Sequence, residues 1–153
     1  MPTALPVVLL LAGVLSALLA GFYLAFSLTI MPSLARLPDR TLVTTMQTVN
    51  RVIVRPGFVV LFLGAPTVAV VALVLALVKG ATVLAVAVGA LLQVASIATT
   101  VIVNIPLNTA LDRDDPDDAD DIVRARAAFE RPWVRAHLVR TACTTAGAVA
   151  LLL

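Results

Sequence analysis

The sequence predicts an all-α integral membrane protein: a four-helix bundle with a short interfacial helix between its first and second spans. Three observations predict it. Hydrophobic residues make up 61% of the chain and charged residues only 13%, whereas a soluble domain carries about 25% charged residues. Apolar surface on that scale must face lipid. The apolar residues also fall into four long stretches, at about 5–31, 57–78, 81–105 and 137–153. Finally, the polar residues inside those stretches recur at helical spacing. At 153 residues the natural count is a single domain, 1–153.

The first stretch has no positive leader, and its apolar run from Leu5 to Ile30 exceeds the roughly 7–15-residue core of a signal peptide. It reads as a retained helix. Gly13, Ala17 and Gly21 form a stripe of small residues, which serves close packing within the bundle or between copies in a homo-oligomer. Asp39 reads as the N-cap of the interfacial helix at about 39–54. Leu42, Met46, Val49 and Ile53 give that helix one apolar face, and Gln47, Thr48, Asn50 and Arg51 occupy the others. Lys79-Gly80 is so short a connection that the second and third spans must be antiparallel neighbours.

The segment at about 109–135 opens with the acidic run from Asp112 to Asp118 and becomes helical through Arg124, Arg126, Phe129 and Trp133. The run lacks the Gly and terminal Glu of a calcium loop and reads as a solvated turn. The last stretch is marginal against the roughly 17–25 residues a spanning helix needs.

Lys and Arg in the connections set the orientation. The first connection holds Arg36, Arg40, Arg51 and Arg55; the third holds Arg113, Arg124, Arg126, Arg131 and Arg135; the second holds only Lys79. Both arginine-rich connections are therefore expected in the cytoplasm and both chain ends on the outer side of the inner (cell) membrane. Topology explains the net charge of +2, so the bilayer is the expected partner and nucleic acid is not. Cys143 has no second cysteine to pair with and reads as a small buried hydrophobe. His137 is the only histidine. Without suitably spaced Cys or carboxylates it builds neither a zinc nor a haem site, and with a Met it would hold copper only weakly. No metal site and no cofactor is expected.

Polar groups inside a membrane bundle face its interior or a wet cavity. Ser16, Tyr23 and Ser27 share one face of the first helix. Gln93, Ser96, Thr100 and Asn104 follow one face of the third, and Asn108 continues the line past Pro106. Trp133, His137, Arg140, Thr141 and Thr144 do the same in the fourth. These stripes must converge, and their strongest hydrogen-bonding members lie toward the cytoplasmic ends. A pocket is expected there, roofed by the interfacial helix and its Gln47 and Asn50. Three plainer readings stand beside this one: the Ser and Thr hydroxyls bond their own backbone or a neighbouring helix, Arg140 snorkels to the interface, and Asn104-Ile105-Pro106-Leu107-Asn108 is a helix exit.

Several phrases occur in order along nearly the whole chain: Phe26-Ser27 with Met31-Pro32-Ser33-Leu34, Met46-Gln47-Thr48-Val49-Asn50 followed by Pro56, Asn104-Ile105-Pro106-Leu107-Asn108, and Phe129-Glu130-Arg131-Pro132-Trp133 leading to Arg140-Thr141. Together they resemble the anthrone oxygenase-like family of small four-helix membrane proteins. The resemblance implies oxidation of a tricyclic anthrone to an anthraquinone by molecular oxygen without metal or flavin. The chain departs from the family pattern at His137, where many members carry Asn.

Such chemistry needs an apolar slot for a small, flat aromatic substrate, a base, and donors for the developing oxyanion. The residues expected to supply them are His137 as base, Asn50 and Asn104 as oxyanion donors, and Arg140 to hold the enolate or peroxide anion. Trp133 would stack on the rings and Tyr23 serve as a further donor. Ser27, Gln47, Gln93, Thr100 and Asn108 complete the expected pocket. The competing expectation is a non-enzymatic membrane protein that binds, transports or only packs. The nine carboxylates all lie outside the spans, which argues against a proton-coupled pump. An enclosed cavity in the inner half, as opposed to an interior filled by side chains, separates the two.

Overall fold

The computed structural model describes residues 4–81 and 83–153, and every regular element among them is helical. Thr82, in the expected third span, lies outside the described residues. Five helices account for the fold: α1 (Ala4–Leu34), α2 (Asp39–Ile53), α3 (Pro56–Lys79), α4 (Leu84–Leu111) and α5 (Ala119–Leu152). Helices α1, α3 and α4 are each long and apolar enough to cross a membrane, so the chain is a multi-pass membrane protein. Polar residues of α5 such as His137, Arg140, Thr141 and Thr144 are buried on its inner face. Helix α1 packs on α3 and α5, and α4 packs on the same two, while α2 lies across α5 and the end of α4.

Small residues set the closest approaches. A Cβ on Gly89 would stand 2.6 Å from Leu151 Cγ and 3.1 Å from the Gly147 carbonyl oxygen, so α4 and α5 meet nearly backbone to backbone. Ala65, Ala69, Ala72 and Ala76 form a fully buried stripe along α3. The stripe expected on α1 is only partly used. Gly13 packs beneath Leu152, but Ala17 and Gly21 are exposed, and a Cβ on Gly21 would meet nothing within 4 Å.

Two prolines do not end their helices, contrary to the helix-exit reading. Helix α1 continues through Pro32 to Leu34 and α4 through Pro106 to Leu111. Each proline follows a π-helical turn, Phe26–Ile30 and Thr100–Asn104. Met31 N–H donates to the Phe26 carbonyl and Ile105 N–H to the Thr100 carbonyl, both five residues back. A proline inside a helix lacks an N–H and crowds the carbonyl four residues earlier, and a wider turn just before it relieves that crowding.

The apolar face of α2 packs as its spacing predicts: Leu42 and Met46 are fully buried, as is Val43. Its start differs from expectation. Asp39 is the first helical residue and makes no cap; Pro38 stands at the N-cap. The Asp39 carboxylate instead accepts from Arg126 Nη1 at 2.7 Å. Arg126 also donates to Glu130 Oε2 at 2.7 Å and to the carbonyls of Leu37 and Ala35 at 2.9 and 2.8 Å. One guanidinium thus closes the carbonyl-rich end of α1 and ties it to α2 and α5. In the acidic run, Asp118 is the N-cap of α5, accepting from the amides of Asp120 and Asp121.

Candidate functional site

A cavity of about 410 Å³ lies among the C-terminal half of α2, the N-terminal half of α3 and the second half of α4. Phe22 and Phe26 of α1 and Trp133 and Arg140 of α5 close its inner side. Its walls are chiefly apolar, with Phe22, Phe26, Phe58, Phe62 and Trp133 among aliphatic side chains. Phe22 stands 5.2 Å from Phe26 and 5.0 Å from Phe58 between ring centroids, and Phe58 stacks on Phe62 at 5.9 Å. Met46, Val49 and Ile53 of α2 line it. The polar lining is confined to Asn50, Thr100, Asn108, Thr109, Asp112 and Arg140. An apolar slot with a few convergent polar groups is the usual form of a small-molecule site.

Arg140 is its most unusual member. The residue is 8% exposed, and no carboxylate pairs with it among the described residues. Its Nε donates to His137 Nδ1 at 2.9 Å and its Nη1 to Thr100 Oγ1 at 3.3 Å. The guanidinium carbon stands 4.5 Å from the centroid of Tyr23 and 5.3 Å from that of Trp133. Ring faces attract a cation but do not neutralise it. Nη2 has no partner among the described residues, on a side chain that lines the cavity. The arrangement is a buried cation with one donor nitrogen left uncommitted beside the cavity. The snorkelling reading of Arg140 does not describe this geometry.

The histidine serves that cation. His137 is 1% exposed and does not line the cavity. Nε2 lies 2.9 Å from the Tyr23 carbonyl oxygen, which can only accept, so Nε2 carries the proton and donates. Nδ1 is then the lone-pair nitrogen that Arg140 Nε bonds. Both ring nitrogens are occupied, and the base expected at His137 has no free lone pair in this arrangement. The ring also stacks on Trp133, with centroids 4.7 Å apart and planes 11° from parallel. Trp133 Nε1 donates to Asn108 Oδ1 at 2.8 Å, which fixes the indole from its other edge.

The remaining expected residues divide by place. Asn50, Thr100, Asn108 and Trp133 line the cavity with Arg140. Asn50 Nδ2 donates weakly to the Asn108 carbonyl at 3.4 Å and to Asp112 Oδ1 at 3.5 Å. Asn104 is buried behind the wall, donating to the Trp133 carbonyl at 3.3 Å and leaving Oδ1 without a partner among the described residues. It does not line the cavity, so the oxyanion role expected of it has no access there. Tyr23 likewise presents its ring to Arg140 and does not line the cavity.

Three expected pocket residues hold helices together. Gln47 donates to the carbonyls of Leu111 and Asp114 at 2.9 and 3.0 Å, capping the end of α4. Gln93 donates to the Thr144 carbonyl at 3.1 Å, far along α4 from the cavity. Ser27 Oγ bonds Thr141 Oγ1 at 3.2 Å, and that threonine donates to the His137 carbonyl at 2.7 Å. The plainer reading of the polar stripes holds for Ser96 and Thr144, which bond each other across α4 and α5 at 2.6 Å.

Four of the five phenylalanines, Phe22, Phe26, Phe58 and Phe62, line the cavity, and none of them was among the expected site residues. Their signal is faint but present: Phe22 and Phe26, and Phe58 and Phe62, are each one helical turn apart. Asp112 also lines the cavity, although the acidic run reads as solvated. Among the described residues no three His, Cys, Asp or Glu side chains converge as metal ligands do.

A family model described as Anthrone oxygenase matches residues 51–150. No curated protein and no solved structure matches the chain.

Proposed function

Because the chain belongs to the anthrone oxygenase family, we propose that it is a membrane-bound, cofactor-independent oxygenase acting on a flat aromatic or phenolic carbon acid. The net change is CH2 plus O2 to C=O plus H2O, as in oxidation of an anthrone to an anthraquinone. The observation that carries the reading is the buried Arg140 guanidinium, without a carboxylate partner, in the wall of an aromatic cavity.

The physical logic is short. Removing a proton from an anthrone-type CH2 leaves an enolate whose charge sits largely on oxygen. That anion is electron-rich enough to react with dioxygen directly. A fixed cation in a low-dielectric slot stabilises the anion more than the neutral ground state, lowering the acidity barrier. Trp133 and the phenylalanines provide faces for a planar ring system. Asn50 and Asn108 offer amide groups at the cavity edge. His137 acts through Arg140, holding its Nε so that Nη2 addresses the substrate.

The same reading places the chain as a four-span bundle in the inner membrane. The arginine-rich connections before α3 and after α4 would be cytoplasmic, α2 would lie at the interface, and both ends would lie outside. The cavity then opens near the cytoplasmic surface. The α1–α5 contact between Gly13 and Leu152 supports having both ends on one side.

The test is oxygen consumption by the detergent-purified protein with an anthrone, against the uncatalysed autoxidation rate, with Arg140→Met in parallel. Acceleration by the wild type that the variant lacks is expected. A wild-type rate equal to autoxidation refutes the oxygenase reading.

A further inference from the structure

Asp112 and Arg140 are the two charged side chains lining the cavity, yet they make no ion pair with each other. Asp112 is exposed, so water screens its attraction to the buried guanidinium, and each charge has contacts of its own. Asp112 directly follows the last residue of α4, Leu111, whose side chain is buried and whose carbonyl Gln47 bonds at 2.9 Å. Its Oδ1 faces Asn50 Nδ2 at 3.5 Å. Arg140 is fixed by His137 and Thr100. Asp112 is exposed and Arg140 is buried. The carboxylate therefore stands at the open edge of the slot and the guanidinium at its inner end.

No other lining residue is a proton acceptor of comparable strength. The lining otherwise comprises hydrocarbon, aromatic, amide and hydroxyl side chains, and His137 has both nitrogens bonded. We propose that Asp112 is the catalytic base of this site, taking a proton from the CH2 of a carbon acid bound between the phenylalanines, while Arg140 holds the enolate oxygen. This rests on the oxygenase reading above and names a base that reading leaves unassigned.

The steps balance. The Asp112 carboxylate takes one proton from carbon, and the C–H electron pair passes into the enolate, whose oxygen faces Arg140. The enolate carbon reduces dioxygen and bonds to it, giving a peroxide anion. The Asp112 carboxylic acid returns its proton to the distal peroxide oxygen. Loss of the second C–H proton, again to Asp112, breaks the O–O bond and forms C=O, and the departing hydroxide takes that proton to become water. Carbon loses four electrons and dioxygen gains four.

The test compares wild type with Asp112→Asn and Asp112→Glu, with Asp115→Asn of the same acidic run as control. Two quantities are read: anthrone-dependent oxygen consumption, and quenching of Trp133, the only tryptophan, by the anthraquinone product. Asp112→Asn is expected to lower kcat about 10²–10⁴-fold, the usual contribution of a general base, with quenching unchanged. Asp112→Glu should recover part of the rate and Asp115→Asn all of it. Substrate deuterated at the reacting carbon should show a larger isotope effect in Asp112→Asn than in wild type, which a merely structural aspartate would not produce. Turnover by Asp112→Asn within about threefold of wild type overturns the base assignment and leaves the oxygenase reading standing. So does loss of quenching in that variant, which makes Asp112 a binding group. A wild type no faster than autoxidation overturns both.

Discussion

Replacing Arg140 with methionine should cost the protein its anion site without costing it its fold. The change removes bonds to His137 Nδ1 at 2.9 Å and Thr100 Oγ1 at 3.3 Å, and the contact with the Tyr23 ring at 4.5 Å. Hydrogen bonds from a charged donor contribute about 1.5–3 kcal/mol each, and a cation over a ring about 1–2 kcal/mol when desolvated. Against these stands the penalty for burying a charge with no counter-ion, several kcal/mol even after relaxation. The opposing terms are of the same size, and methionine retains much of the side chain's apolar volume. Net stability should therefore stay within about 2 kcal/mol of wild type. Binding behaves differently. An anionic aromatic loses one charge-assisted bond, about 1.5–3 kcal/mol, or roughly 10- to 150-fold in Kd.

The assay pairs two measurements on each protein in detergent: chemical unfolding, and Trp133 quenching by a planar aromatic phenolate. Trp133 lines the cavity and lies 5.3 Å from the guanidinium, so it reports on occupancy directly. A loss of more than about 3 kcal/mol in stability is what removing one partner of a buried ion pair produces. That result would show Arg140 to be a structural cation and would refute the argument. Unchanged affinity would refute it equally.

Two further outcomes follow from the packing. Arg126→Met should destabilise by about 2–3 kcal/mol, because four hydrogen bonds are lost together, two of them to partly exposed carboxylates and so discounted; unfolding followed by Trp133 emission checks it, and a change under about 0.5 kcal/mol contradicts it. Gly89→Ala should destabilise by about 1–3 kcal/mol through overpacking against Leu151 and the Gly147 carbonyl. Gly21→Ala, with open space around it, should be neutral or stabilise by up to about 1 kcal/mol; equal effects of the two substitutions in the same thermal melt would refute the helix-contact assignment.

Much of the architecture was legible in the sequence because lipid imposes a one-dimensional rule. A chain with 61% hydrophobic residues must fold its apolar stretches into helices that satisfy their own backbone. Length alone then marks α1, α3 and α4. The apolar face of α2 was equally plain, since Leu42, Met46, Val49 and Ile53 follow the helical period. Polar groups inside apolar helices must turn inward, and so the sequence marks Thr100, Asn108, Trp133 and Arg140 as a converging set, with Asn50 joining them from the connecting helix.

Which inward-facing groups meet the cavity, and which meet each other, is a matter of a few ångströms that periodicity does not encode. Gln93 and Gln47 share the chemistry of a pocket amide, but each finds a backbone carbonyl nearer than any ligand. His137 is a plausible base as a residue type; its neighbours Tyr23 and Arg140 occupy both nitrogens and make it a support for the guanidinium. The phenylalanines were invisible as a site because aromatic residues in an apolar helix look like any other lipid- or core-facing side chain. Asp112 reads as one more acidic turn residue because nothing in the run from Asp112 to Asp118 shows that its first member lies at the cavity mouth. The sequence by itself determined that polar and charged groups would gather inside a helical membrane protein. Only the tertiary structure decided that one cation and one carboxylate would face the same aromatic slot unpaired, because that depends on which neighbours restrain each charge.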